Sequence, residues 1–456
     1  MAELSVPQAK LSQVQQRRPQ HGHARQPLRI LLSAYACEPD RGSEPGIGWQ
    51  WATRLAELGH EIVVITRANN AAAIDAAMSA NHIPTLHFVY IDLPKWASFW
   101  KRSGRGVHLY YFLWQFFSFP TAYRLHRKWR FDIVHHLTFG VFRQPSWLAL
   151  LDAPCVFGPV GGGEKAPRSL RKGMPMKSRL AELARDIANL YAKIDPMLSF
   201  ALKRTTTVLC KTEETRSALP RSYLANSEVF VEIGTEPKHD QSAAKRFLAG
   251  ETASHESPRD ETPTPAIRVL YVGRLIHWKG LHFALPAFAQ LLREFPDSRF
   301  TIVGRGPQEP ELRRLTKQLK IEHRVDWMPW LPHDEVLTEY GKHDVFLFPS
   351  LHDSSGNAVL EAMTNGLPVV CLKLGGPATI VDCFSGIRID TQEPELAIQH
   401  LGSALALLAG NPSFRNYLSQ GAYARANNYF SWRSQIDRMT ALYYSLYAQR
   451  QLSLQT

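Results

Sequence analysis

The chain alternates short, nearly continuous apolar runs with segments of helical period, and it starts this alternation twice. LRILLSAYA (28–36), a Gly-containing segment, WQWATRLAELGH and HEIVVITR (60–67) read as strand, loop, helix and strand. An apolar run without polar alternation marks a strand buried on both faces, as in a parallel sheet. Further strands are predicted at LHFVYIDL (86–93), DIVHHLT (132–138), CVFGPV (155–160), TTVLCK (206–211) and EVFVEIG (228–234). A polar, Pro/Thr/Glu-rich stretch over 238–266 then interrupts the pattern and reads as a linker. The alternation restarts at IRVLYVGRL (267–275) and continues through RFTIVGRG, RVDWMPW, VFLFPS and PVVCLK, with helical patterns between them. The predicted fold class is α/β: two Rossmann-like domains facing across a cleft, with the ligand at the carboxyl ends of the strands.

At 456 residues the chain is long enough for two such cores, and its 21% charged and 45% hydrophobic content is that of a globular protein. Residues 1–27 are Gln/Arg-rich, lack the apolar core of a secretory signal and are expected to be a disordered tail. The five cysteines are scattered without CxxC spacing, which predicts reduced thiols, a cytoplasmic setting and no zinc site.

The net charge of +12 is concentrated. Residues 95–130 hold eight Lys or Arg, no acid and twelve aromatics; residues 165–179 add six more cations and again no acid. Rings and cations together suit an anionic membrane surface, and YYFLWQFF forms an apolar wedge without a nucleic-acid motif beside it. The alternative is that half of these rings belong to the core of the first domain. The longest apolar stretch, 109–123, is interrupted by Gln115, Ser118 and Pro120, so no bilayer-spanning helix is expected. Peripheral association with the inner face of the membrane is the localisation this predicts.

Chemistry is densest in FPSLHDSSGNAVLEAM (348–363), where Asp353 and Glu361 flank a small polar loop that enters a helix. Unpaired N–H groups and the dipole at a helix N-terminus bind pyrophosphate, and a carboxylate on either side can accept from sugar hydroxyls. Taken singly, Asp353 capping a turn and Glu361 being solvated would be the ordinary reading. Arg274 and Lys279 in VGRLIHWKG (272–280) follow a strand and place two cations where a diphosphate would lie. Neither half opens with GxGxxG, which disfavours a nicotinamide-dependent oxidoreductase.

VGRL with its following KG, IVGRGP (302–307), VDWMPW, DSSGNAVLEAM, GLPVV and FSW (430–432) stand in the order and spacing of glycosyltransferase family 4, the retaining GT-B enzymes, which the chain therefore resembles from residue 28 onward. The resemblance implies a GT-B fold: an N-terminal acceptor domain over 28–237, a C-terminal donor domain over 267–430, and a helix over 431–456 crossing back to the first domain. It implies that Arg274 and Lys279 hold the donor diphosphate and stabilise the leaving group. Asp353, where relatives usually carry Glu, would contact the hexose, and Glu361 the ribose. The backbone of Gly356, Asn357 and Ala358 would approach the phosphates, and Arg305 and Met328 would line the base pocket. SEPGIGW (43–49) resembles the glycine loop facing the donor, through Gly46 and Gly48. In DIVHHLTFG, His136 is taken as the active-site histidine of such enzymes.

The function so implied is retaining transfer of a hexose from UDP- or GDP-hexose to a lipid-linked saccharide, in exopolysaccharide or cell-envelope polysaccharide synthesis. No cofactor and no metal are expected, because no DxD-type acidic pair follows a strand. The expected partners are the nucleotide-sugar, the lipid-linked acceptor and the anionic membrane surface, with no nucleic acid. A soluble sugar-phosphate glycosyltransferase of the same fold is the nearest alternative, and a basic nucleic-acid-binding protein a more distant one.

Overall fold

The computed structural model describes residues 26–98, 106–172, 174–236 and 266–455. The expected tail falls almost wholly, and the linker wholly but for Ala266, outside the described residues.

The first half forms a seven-stranded parallel sheet in the order β3-β2-β1-β4-β5-β6-β7. Its strands are β1 (Arg29–Ser33), β2 (Glu61–Arg67), β3 (Leu86–Ile91), β4 (Ile133–His136), β5 (Cys155–Val160), β6 (Thr207–Cys210) and β7 (Ser227–Val229). The second half forms a six-stranded parallel sheet, β10-β9-β8-β11-β12-β13. Here the strands are β8 (Arg268–Val272), β9 (Arg299–Val303), β10 (Val325–Met328), β11 (Val345–Phe348), β12 (Val369–Leu372) and β13 (Gly386–Ile389). The central strands are buried on both faces, which is why they read as apolar runs. Each sheet reverses its strand order once, between β1 and β4 and between β8 and β11, and a doubly wound sheet opens its ligand crevice at such a point. All five cysteines are free thiols.

Three segments differ from the sequence-based expectation. Residues 43–49 are the first turns of a helix, Ser43–Glu57, and not a loop. A Cβ at Gly48 would press on the Ala36 carbonyl and come within 3.1 Å of Thr138 Cγ2, so this glycine lets the helix lie against the end of the sheet. EVFVEIG pairs as a strand only over Ser227–Val229. Beyond it, the carbonyls of Val231 and Ile233 accept from Gln435 Nε2, and that of Glu232 from Trp51 Nε1, so side chains replace the sheet ladder. The aromatic wedge lies in the helix Val107–Trp129, whose Tyr110, Tyr111 and Trp114 are core residues while Leu109, Phe116 and Tyr123 are exposed. Among the described residues no helix is long and apolar enough to cross a membrane.

The helix Trp432–Gln455 packs against the first sheet: the Tyr443 hydroxyl lies 2.5 Å from Nδ1 of His135, at the end of β4.

Candidate active site

The crevice between β8 and β11 is built by two loops that meet. After β8 the chain turns through a short helical turn, His277–Lys279, and Gly280 ends it with φ +75°. A side chain at Gly280 would collide with the Pro349 carbonyl, so glycine serves both the left-handed backbone and the close approach of this loop to the end of β11. The Trp278 carbonyl accepts from the Leu351 N–H at 2.7 Å and from the Ser350 hydroxyl at 3.2 Å. Lys279 is thereby delivered to Asp353, with which it forms an ion pair; Nζ also sits 4.7 Å from the centre of the Phe348 ring.

From Asp353 the chain runs through Ser354 and Ser355 to Gly356, whose φ of +76° starts the helix Asn357–Thr364. No side chain caps that N-terminus, so its first N–H groups are available to an anion. One turn along, Glu361 accepts a 3.1 Å hydrogen bond from the buried Tyr340 hydroxyl. Burial first, and the Glu361 carboxylate second, raise the Tyr340 pKa well above the usual phenol value and keep it a donor.

The N-terminal sheet closes over this loop. Lys211, directly after β6, is buried, with Nζ 2.6 Å from the Glu232 carboxylate and 3.3 Å from the Ser355 hydroxyl. The Ser355 hydroxyl donates to the same carboxylate at 2.7 Å. Burial alone would lower the Lys211 pKa, but the carboxylates of Glu232 and Glu44 outweigh it and raise the value, so Lys211 is a fixed cation.

Two cavities open on either side of the 353–357 loop. A larger one, about 520 Å³, is lined by Asp353 and Ser354 from the second half and by Glu44, His108, Arg143, Arg185 and Lys211 from the first. A smaller one, about 320 Å³, is lined by Asn357 and Glu361 and by Gly46, Gln50 and Trp432. Both lie in the size range of small-molecule sites.

Two family models match this chain in tandem, "Glycosyl transferase 4-like domain" over residues 46–234 and "Glycosyl transferases group 1" over residues 255–425. The chain is a GT-B glycosyltransferase of the family 4 type. The D-inositol 3-phosphate glycosyltransferase of Corynebacterium urealyticum is 31% identical over 212 residues, 44% of this chain and 49% of that protein. The protein of that name from Acidothermus cellulolyticus is 34% identical over 199 residues, 41% and 43% of the two chains. The chain thus spans less than half the length of the curated relatives it matches. Among solved structures, sucrose-phosphate synthase from Thermosynechococcus elongatus superposes with a TM-score of 0.60 at 18% identity, covering 92% of this chain and all of that one. Anabaena HepE in complex with UDP follows at 0.56 and 16%, with the same coverage. At these identities the structures speak for the fold.

The glycosyltransferase brings some of the residues singled out in its sequence together and leaves others apart. Lys279 meets Asp353, and Gly46 lines the smaller cavity together with Asn357 and Glu361. Ala358 is in the first turn of the same helix, and its carbonyl accepts from Tyr340 at 3.3 Å. Arg274 is exposed and lines neither cavity; its carbonyl is held at 3.0 Å by the Tyr271 hydroxyl. Arg305 is exposed after β9, Met328 is half-buried at the end of β10, and neither lines the two cavities.

His136 is buried, bonded through Nε2 to the Tyr111 hydroxyl, and pushed by burial to a pKa of about 3, so it is a neutral core residue that lines neither cavity. Gly48 is likewise buried against the Ala36 backbone. Two histidines do line the larger cavity: His108, exposed at the start of the helix Val107–Trp129, and the buried His352, directly before Asp353. Sequence reasoning missed both, together with Lys211 and Glu232. The last two carried a signal: each is a charge at the end of or inside an apolar run, TTVLCK and EVFVEIG. Among the described residues no group of three or more His, Cys, Asp or Glu could hold a metal ion.

Proposed function

We propose that this chain is a retaining hexosyltransferase that moves a hexose from UDP- or GDP-hexose to a lipid-linked saccharide. It would work at the inner face of the cell membrane, in exopolysaccharide or cell-envelope polysaccharide synthesis. The observation that carries the reading is the 353–357 loop. It offers an uncapped helix N-terminus between the Lys279–Asp353 pair on one side and Glu361 on the other, each side opening on its own cavity. A diphosphate over that N-terminus would put ribose hydroxyls by Glu361 and the hexose by Asp353, facing the acceptor in the larger cavity. As the bond from sugar to phosphate breaks, charge grows on the diphosphate, and Lys279, Arg274 and the helix dipole stabilise it more than they do the ground state. The departing phosphate oxygen takes the acceptor proton on the same face, which retains configuration. With those cations at the leaving group, the transfer is proposed to run without a metal. HepE, with UDP in its structure, is in keeping with a uridine donor.

The test is a panel of UDP- and GDP-hexoses, scored for a rise in the thermal midpoint and then for transfer to lipid-linked saccharides. Proton NMR of the first product reads the anomeric configuration, and turnover is repeated with chelator. No rise with any nucleotide-sugar, or an inverted product, would sink the reading.

A second reading has its own support. The larger cavity carries Arg143, Arg185 and Lys211, a cationic wall suited to a phosphate, and the curated relatives are named for D-inositol 3-phosphate, a phosphorylated polyol. Transfer to a soluble sugar phosphate and none to a lipid-linked saccharide would replace the first reading with this one.

A further inference from the structure

The helix Met176–Tyr191 is amphipathic with its apolar side turned to solvent. Met176, Leu180, Leu183, Ile187, Leu190 and, just past its end, Ile194 recur at steps of three and four, so they share one face. They are between 49% and 76% exposed. The opposite face is polar and engaged with the protein. Glu182 lies 2.9 Å from His352 Nε2, next to the catalytic loop; Asp186 takes a bidentate pair from Arg171 at 2.7 and 3.1 Å; Arg185 lines the larger cavity. A helix that only completed a fold would be oriented the other way round.

We propose that this outward face lies in the headgroup region of an anionic bilayer and so sets the mouth of the larger cavity at the membrane surface. Charge selects the lipid over a second copy of the chain. Lys172, Lys177, Arg179 and Lys193 are exposed around the stripe. Each acid between residues 176 and 195 is turned inward: Glu182 and Asp186 as above, and Asp195 accepting from the N–H groups of Met197 and Leu198. Two such faces brought together would oppose like charges, whereas an anionic surface satisfies cations and apolar side chains at once. At 16 residues the helix is about 24 Å long, too short to span a bilayer and long enough to lie in its interface. The benefit to an acceptor rests on the hexosyltransferase reading; the docking does not.

The test is flotation of the full chain with phosphatidylglycerol-containing vesicles, using wild type, the double variant Leu183→Glu/Ile187→Glu, and Phe116→Glu on the helix Val107–Trp129. Wild type and Phe116→Glu should float. The double variant should partition at least about tenfold less, with its thermal midpoint and nucleotide-sugar response unchanged because both side chains are exposed. Three results overturn the proposal: wild type that stays off anionic vesicles, a double variant that floats as wild type does, or a wild-type dimer that the double variant dissociates. Donor response and vesicle binding are separate readouts: loss of vesicle binding removes the membrane location and leaves the transferase reading standing, and loss of donor response does the reverse.

Discussion

Lys279 and Asp353 set the residue-scale problem, because the cation proposed to meet a diphosphate is paired with a carboxylate. On the proposed function a donor must turn that pair toward itself, with Lys279 to the phosphate and Asp353 to a sugar hydroxyl. Arg274 has no such tie among the described residues and its side chain is exposed, so on the proposed function Arg274→Ala should lower kcat/KM by about a hundredfold or more while leaving the thermal midpoint within a degree or so. Steady-state kinetics beside a melting curve decide it, and full activity removes Arg274 from the site. Asp353→Glu lengthens the reach by one methylene at the proposed hexose contact. It should redistribute kcat/KM among hexoses of one nucleotide, with the affinity for the nucleotide alone unchanged; an identical hexose profile would place Asp353 outside the sugar contact. Both residues were legible in the sequence because each is a charge just beyond an apolar strand run. His108 was not: it lies inside the basic aromatic segment, at the second position of the helix Val107–Trp129, and only the fold carries it to the cavity. His136 is singled out in the sequence only through the resemblance of DIVHHLTFG to a strand end that carries an active-site histidine. Its side chain is buried in the core, and on a strand a one-residue change of register reverses the direction of every side chain.

At the scale of elements, strands were the readable part, since twofold burial in a parallel sheet leaves runs such as VFLF with nothing polar in them. Residues 43–49 resemble a glycine loop in sequence, yet they are the first turns of the helix Ser43–Glu57: tertiary packing overrides the low helix propensity of glycine where only glycine fits against Ala36. The strand β13 and the helices Pro394–Gly410 and Pro412–Ala424 went unread; β13 is four residues long and half-exposed at its middle, so it presents no apolar run. The helix Trp432–Gln455 shows what an element contributes beyond its own pattern. Tyr443 and His135 are both buried, and their bond joins residues 308 positions apart. Tyr443→Phe removes one buried hydrogen bond and leaves the ring, so it should lower unfolding free energy by about 1–2 kcal/mol, read from denaturant midpoints. An unchanged midpoint would mean that this bond adds nothing to the hold of the helix on the first sheet.

At the scale of the whole molecule, the two halves are tied by polar bonds at the site itself: Lys211 and Glu232 to Ser355, and Glu214 to the Gly375 N–H at 2.7 Å. Both halves also bury neutral histidines, which makes acid a shared threat. Burial lowers the pKa of His135 to about 4 and of His136 to about 3 in the first half, and of His282 to about 4 in the second. Above the ordinary value of 6.5 these rings are neutral in both folded and unfolded chains and add no pH dependence. As pH falls below it, the unfolded chain takes up protons that the folded chain refuses, so stability is lost progressively until the pH reaches the depressed folded values. Each ring can contribute up to about 1.4 kcal/mol per pH unit inside that window. Denaturant midpoints should therefore fall steeply between pH 6 and pH 4. His282 offers the cleaner probe, because neither of its buried ring nitrogens has a hydrogen-bond partner among the described residues. His282→Leu should flatten the slope by its share and raise stability relative to wild type at pH 5, with little change at pH 8. If the slope of this variant matches wild type, the acid sensitivity of the second half lies in its carboxylate pairs and not in the buried ring.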